Sequence, residues 1–372
     1  MGRPMIKTYL SCFLLGLLFW SSHAFAFPGM IRHGYVNCTS CHVSPSGGGV
    51  LTPYGRELSG EVLSTWAKEG EGKFLYGAFA DSLPENLMLG GDTRIIQTYQ
   101  DNPIFTEKRF YLMQSDVEGA YRFGKFTLDL EVGYLDTNDI ASLRQYIMYQ
   151  FNDENTLRLG KFRNNYGINT DEHQLTIKSG LGWDVETETY NLEFSRLTGN
   201  YSFFATAIFG APESVSQRRG LTIGRTGVVD HGASVRASAY IADKYEIGAN
   251  YFYGKKSGAD WRSVTGPFVI LGFTPHFFYL GELDFQDQGQ WGVFDYQRLT
   301  YEPVQGVQLF ITQELARPQF SNMIMRIARY GLGLQYFPRP HYELDLRWNW
   351  EQDPYDETRY NPLAWIMLHL YL

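Results

Sequence analysis

Residues Cys38-Thr39-Ser40-Cys41-His42 read C-x-x-C-H, the attachment pattern of a covalent c-type haem. Two thiols at this spacing can add to the two vinyl groups of one haem. The residue that follows, His42, then offers its imidazole as the proximal ligand of the iron. A bare C-x-x-C also suits a redox dithiol, a structural disulfide or half of a zinc site. The chain has no second Cys pair, so zinc would have to draw on distant histidines. The histidine directly after the second cysteine favours haem c, with Cys38 and Cys41 as its covalent anchors and His42 as an axial ligand.

The residues around the motif supply further candidates. His33 would give a low-potential bis-His site, and Met30 a higher-potential His/Met site. A histidine from elsewhere, His341 or His173, is a third source of the distal ligand. Ser44-Pro45-Ser46-Gly47-Gly48-Gly49 reads as a turn, either one that lets backbone pass close to the haem edge or a solvent loop. Leu51, Tyr54 and Leu58 would cover the ring. Arg56 would pair with a propionate, or is an ordinary surface side chain. Val62, Leu63 and Trp66 recur at helical spacing and predict a short helix over Glu61–Lys68.

The first 26 residues read as a secretory signal. Arg3 and Lys7 give the positive end, Tyr9 to Trp20 is mostly apolar but too short to span a bilayer, and Ala24-Phe25-Ala26 is a small–x–small cleavage site. Cys12 would leave with the signal, and its surroundings fit a lipid anchor poorly. The mature chain, starting at Phe27, then keeps two cysteines, both in the haem motif. Export and covalent haem together imply c-type maturation machinery as a transient partner.

The haem segment, about residues 27–72, is expected to be mostly coil with a short helix. That length rarely holds a core alone, so the haem or the rest of the chain must supply one. The rest is built differently. Of 372 residues, 26 are Tyr, 26 Phe and 8 Trp, and 38 are Gly. Phe126, Leu128, Leu130, Val132 and Tyr134 alternate with Thr127, Asp129, Glu131 and Gly133. Tyr245–Tyr253 and His341–Trp350 alternate in the same way. Period two assigns one set to each face of a strand. Many such strands behind an export signal point to an all-β fold, a transmembrane antiparallel barrel with apolar residues outward and polar ones inward. A soluble sandwich is the alternative.

Seven short breaks carry the turn residues Gly, Asn, Asp and Pro: Gly124, Asn152–Asn155, Thr198–Asn200, Ala242–Lys244, Thr274–Pro275, Glu302–Gly306 and Pro338–Pro340. Longer polar stretches separate them: Asp101–Lys108, Pro212–Arg225, Gly254–Ser263, Pro318–Asn322 and Gln352–Asn361. Short periplasmic turns alternating with long outer loops are the pattern of outer-membrane barrels, and seven short turns imply about 16 strands within residues 85–372. Asp171–Val185 reads either as a long loop or as one more hairpin. The last strand ends on Leu372 rather than on an aromatic residue, with Tyr371 next to last. Without Arg3 and Lys7 the chain holds 30 basic and 40 acidic side chains, a balance that argues against nucleic acid. No Ser/His/Asp set, phosphate loop or paired-carboxylate signature argues for hydrolysis.

C-x-x-C-H, a Gly/Pro-containing gap, Leu51-Thr52-Pro53-Tyr54-Gly55-Arg56 and then a barrel-length region resemble the fused outer-membrane monohaem cytochrome-porins. The close match covers about residues 27–60 and is architectural beyond. The resemblance implies one covalent haem c on Cys38, Cys41 and His42, a haem segment in the barrel lumen or on its periplasmic side, and electron exchange across the outer membrane with a periplasmic cytochrome. Ferrous iron is a donor proposed for members of that group. Outer-membrane lipid and the barrel-assembly machinery are the other expected partners. Two further classes stay open: a diffusion porin with an accessory haem domain, and a haem enzyme with an open sixth iron position. Asp129, Glu131, Glu193, Glu246, Glu282, Asp284, Glu343 and Asp345 share the polar phase of their strands. They predict either a cation-concentrating lumen or one neutralised by bases such as Arg158 and Arg347.

Overall fold

The computed structural model describes residues 28–77, 84–135, 140–142, 144–170, 172, 175–183, 187–210, 230–256, 260–321, 326–353 and 355–372. The secretory signal with Cys12, His173 and the loop Pro212–Arg225 lie outside them.

The antiparallel alternation builds a closed barrel. Among the described residues an 18-stranded sheet forms, 16 strands of which make the ring. Each ring strand pairs antiparallel with its sequence neighbours, from Asp92–Asp101 and Thr106–Phe123 onward. The last strand, Tyr360–Tyr371, closes on the first, with Trp365 opposite Thr98 and Leu370 opposite Thr93. The other two, Leu87–Gly90 and Ile140–Ala141, are short additions along the ring. Closure leaves no sheet edge, which a chain facing lipid requires. All seven expected short turns reverse the chain at one end of the barrel, and both barrel termini lie at that end, where Leu372 N–H donates to Gly91.

The faces run opposite to those of a water-soluble domain. Ile311, Leu130, Leu159 and Val117 are exposed on the outside, while Glu282, Asp284, Glu193 and Asp345 are buried inside. Aromatic rings gather toward both ends of the outer wall. At the short-turn end Tyr121, Phe123, Phe126, Tyr149 and Phe151 follow one another with centroids 4.8–6.2 Å apart. At the other end Tyr253 stacks on Trp261 at 4.9 Å. An apolar belt between aromatic girdles matches an acyl layer between two interfaces.

The inner wall departs from the expected polar face. Phe252, Phe268, Phe278, Phe294 and Tyr296 point inward and are fully buried. They receive the connection between Asn155–Phe162 and Thr189–Leu197, which folds into the lumen. Tyr166, Ile168, Leu175, Ile177, Leu181 and Trp183 pack against that wall, joined by Ile31. The Asp171–Val185 stretch is therefore an inward loop with one helical turn, Thr176–Gly180, and no strand among its described residues. Buried polar bonds pin it: Tyr166 donates to Asp284 (2.9 Å), Ile168 N–H to Glu282 (2.6 Å), and Glu172 bridges Arg298 and Arg347.

Residues 28–77 enter at the short-turn end and fill lumen space beside this loop. Arg32 is buried against Glu302 and lies over the Phe278 ring. Asn37 donates to Thr198 O at 3.2 Å, and Thr65 and Trp66 N–H donate to Phe337 and Pro338. The expected helix over Glu61–Lys68 sits earlier. An α-helix spans Pro53–Leu58 and continues as a π-turn over Ser59–Leu63, after which Ser64 is extended and Trp66 lies in a turn. The start is set by Thr52 as N-cap and Pro53 in the first turn, a local signal stronger than apolar spacing.

Candidate cofactor site

The C-x-x-C-H stretch folds as a 3-10 turn. His42 N–H and Cys41 N–H both donate to Cys38 O, at 2.9 and 3.2 Å. The chain then pairs back on itself. Val43 N–H donates to Val50 O (3.0 Å), His42 lies opposite Leu51, and Thr52 N–H donates to Cys41 O (2.8 Å). The tip of this small hairpin is Ser44–Gly49, where Gly47, Gly48 and Gly49 all have φ between 67° and 79°, a conformation that side chains disfavour. No disulfide joins Cys38 and Cys41. Burial pushes the Cys38 thiol up to about 12, against the pull of Arg236.

The Leu51–Arg56 motif braces that turn. Thr52 Oγ1 accepts from Gly55 N–H (3.1 Å) and donates to Ser40 O (2.8 Å), so one side chain both caps the helix and holds the haem-motif turn. Gly55 packs its bare Cα on Cys41, where a Cβ would stand 2.7 Å from Cys41 Cα. Met30, Cys41, Leu58 and Leu63 form one apolar cluster, flanked by Tyr35, Leu51 and Val62.

Cys38, Cys41 and His42 line one cavity together with Met30, Leu51, Leu58 and Leu63 from the segment. Phe162, Arg94, Glu118, Arg144, Arg158, Arg236, Glu246 and His369 line it from the barrel. The cavity holds about 300 Å³, at the lower end of the roughly 300–1,000 Å³ of ordinary ligand pockets. Two thiols and an imidazole on an apolar shelf, faced by a charged wall, fit a haem with its apolar ring and anionic propionates.

The remaining candidates scatter. Met30 is at the cavity; His33 is not among its lining residues. Burial, with Arg32 and His276 nearby, pushes His33 down to about 4. Both ring nitrogens of His341 face backbone carbonyls, Nδ1 that of Tyr371 at 2.9 Å and Nε2 those of Glu71 and Lys73 at 3.1 and 3.3 Å. Arg56 is buried, donates to Leu89 O and lies over the Phe74 ring at 5.2 Å, away from the cavity lining. Burial pushes its guanidinium down to about 10. Of the ring-covering trio, Leu51 and Leu58 line the cavity, while Tyr54 is exposed.

No motif or spacing singles out His369, which lines the cavity with Nδ1 2.8 Å from Glu343 and Nε2 against Asp92. Four of the eight inward acids pair with arginines: Glu193 with Arg158 (2.7 Å), Glu246 with Arg236 (2.7 Å), Glu131 with Arg144 (2.9 Å) and Asp345 with Arg347 (2.8 Å). The neutralised lumen, rather than the cation-concentrating one, is the arrangement found for these pairs.

No family model matches the chain, and no curated protein matches it by sequence. Solved structures do resemble it. They include OprB of Pseudomonas putida, with a TM-score of 0.61 at 9% identity, covering 84% of this chain and 99% of that one. The outer membrane channel DcaP of Acinetobacter baumannii gives 0.53 at 10%, covering 77% and 97%. A triple mutant of Rhodopseudomonas blastica porin gives 0.53 at 10%, covering 77% and 100%. The likeness is one of fold, that of porin-type barrels.

Proposed function

We propose that this chain is an outer-membrane barrel that carries one covalent haem c in its lumen. In this reading it passes electrons between an outside donor or acceptor, ferrous iron among the donors, and a periplasmic cytochrome. The observation that carries the proposal is the single cavity lined by Cys38, Cys41 and His42 and walled by both the segment and the barrel. A haem held there supplies one-electron chemistry at its iron, with a potential set by axial ligation and burial.

The chain's own residues would do the rest. Cys38 and Cys41 sulfurs would carry the thioether bonds, and His42 would present its imidazole. Met30 is the distal candidate that lines the cavity, whereas His33 and His341 would have to leave their present surroundings. Leu51, Leu58 and Leu63 would keep water from one face, and Thr52 and Gly55 would hold the turn that sets both thiols. Short turns of such barrels face the periplasm, and the segment enters at that end, within reach of a soluble carrier.

The likeness to outer-membrane channels supports the second reading, a diffusion porin with an accessory haem domain, more directly than it supports electron transfer. Against free diffusion stands the filled lumen, occupied by residues 28–77 and by the inward loop.

One experiment separates the two readings. Full-length protein, matured with its haem, is placed in vesicles that enclose oxidised cytochrome c, and an impermeant reductant is added outside. Electron transfer predicts reduction of the trapped cytochrome with wild type, none with Cys38→Ala/Cys41→Ala, and low conductance in planar bilayers. Open-channel conductance in both proteins, with no reduction in either, would establish the porin reading instead.

A further inference from the structure

The Ser44–Gly49 tip of the haem-motif hairpin is bound by one residue of the barrel wall. Arg158, on the inward face of Asn155–Phe162, is almost completely buried. Its Nη1 donates to Ser44 Oγ at 2.8 Å and its Nη2 to Ser46 Oγ at 3.1 Å. The same Nη2 donates to Glu193 Oε1 at 2.7 Å, and Glu193 is itself held by Thr206 Oγ1 at 3.2 Å. The guanidinium carbon lies over the Phe162 ring, 3.7 Å from its centre, with the Tyr146 ring centre at 5.0 Å. Carboxylate and rings fix the plane of the fork before the two serines meet it, so little side-chain entropy is left to lose. Asn169 of the inward loop adds a second hold by donating to Ser46 O.

The tip in turn sets a cysteine. Gly47 N–H donates to Ser44 O at 3.0 Å, which tightens the turn, and Gly47 lies so close that an added Cβ would stand 3.4 Å from Cys38 Sγ. A run of neighbouring groups therefore leads from the wall through the serines and Gly47 to the Cys38 side chain.

We infer that Arg158 is a positioning residue for the haem-attachment turn: its fork on Ser44 and Ser46 seats the hairpin against the wall and fixes where Cys38 sits in the cavity. The latch is independent of any cofactor; its consequence for redox chemistry rests on the haem reading above. A Lys at this position would keep the charge toward Glu193 but could not present two coplanar donors to the two hydroxyls.

The test compares full-length wild type, Ser44→Ala/Ser46→Ala, Arg158→Lys and Arg158→Ala in lipid vesicles. Three readouts are taken: covalent haem per chain, midpoint potential, and the rate at which protease nicks residues 44–49. The double serine variant leaves the barrel wall whole, so it remains informative should Arg158→Ala fail to fold. Two bonds to a charged donor predict nicking faster by on the order of tenfold or more in the serine and Lys variants. Haem content should stay at wild-type level and the potential should shift in the same direction in both. Wild-type nicking and potential in the serine variant, with Arg158→Ala only lowering barrel stability, would reduce Arg158 to a wall residue paired with Glu193 and overturn the inference. Absence of haem from every protein would sink the haem reading alone, because nicking still reports the latch.

Discussion

Among the described residues two pieces of chain occupy the lumen, and they are held in different ways. The inward loop shares one large apolar core with the wall: Ile168, Leu175, Ile177, Leu181 and Trp183 meet Phe252, Phe268, Phe278 and Phe294. The cysteine-bearing segment reaches that core through Ile31 and Val36, and beyond them rests on two small clusters, Met30/Cys41/Leu58/Leu63 and Val43/Val50/Met88/Ala120. It is otherwise tied by polar latches, Arg32 to Glu302, Arg158 to Ser44 and Ser46, and Thr65 to Gln305. Area buried together makes the loop part of the barrel's own core. Directional bonds make the segment a seated insert, whose position is specified more tightly than its attachment is strong.

The largest expected effect breaks the loop side. Ile177 is fully buried, and Ile177→Asp would place an isolated charge there, at a cost of several kcal/mol. The loop should leave the lumen, and bilayer conductance should rise while the cysteine segment stays protected from protease. Unchanged conductance would mean that the loop is not the seal. Next is Glu302→Ala, which strands the buried Arg32 guanidinium at a cost of about 3–5 kcal/mol. Amide exchange should speed up over residues 28–36, with the barrel's Tm nearly constant; protection equal to wild type would count against the latch account.

Gly55→Ala should cost about 1–3 kcal/mol through overpacking, because its Cβ meets Cys41 backbone rather than a flexible side-chain end. Lower haem loading with an intact barrel is the expected result, read by mass spectrometry. Thr52→Ala removes the cap and the bond to Ser40 together, costing about 0.5–2 kcal/mol. Exchange over Pro53–Leu58 measures it. The smallest effect is in pH. Burial first, then Arg32 and His276, hold His33 neutral down to about 4 against an ordinary value of 6.5. A released segment binds the proton more readily than the seated one, so seating is at full strength above about 6.5 and weakens as pH falls toward 4. His33→Gln should flatten that dependence; an equal slope in the variant would assign it to another group.

The contrast also explains what could be read from the sequence. Strand phase, seven turns and 16 ring strands follow from alternation and turn residues, which are local properties. The apolar half of the inner wall was hidden because Phe252 sits on the same phase as Glu246 and Asn250, and alternation reports the face, not what will cover it. The inward loop has no period to announce it. At the site, Cys38, Cys41 and His42 were legible as a contiguous motif. Arg158 is legible as a lumen base but not as the partner of Ser44, and His369 is not legible at all, because each reaches the cavity only through barrel closure, Arg158 from more than 100 residues beyond Ser44. Arg56 donates through Nη2 to Leu89 O and lies over the Phe74 ring, contacts that residue type and spacing do not announce.

The most direct test of the central claim is the intact mass of the mature, full-length protein produced with c-type maturation machinery and denatured before measurement. One haem added covalently per chain, lost in Cys38→Ala/Cys41→Ala, is the result this account predicts. A wild-type chain at the mass of its unmodified sequence, with both thiols free to react, would contradict it.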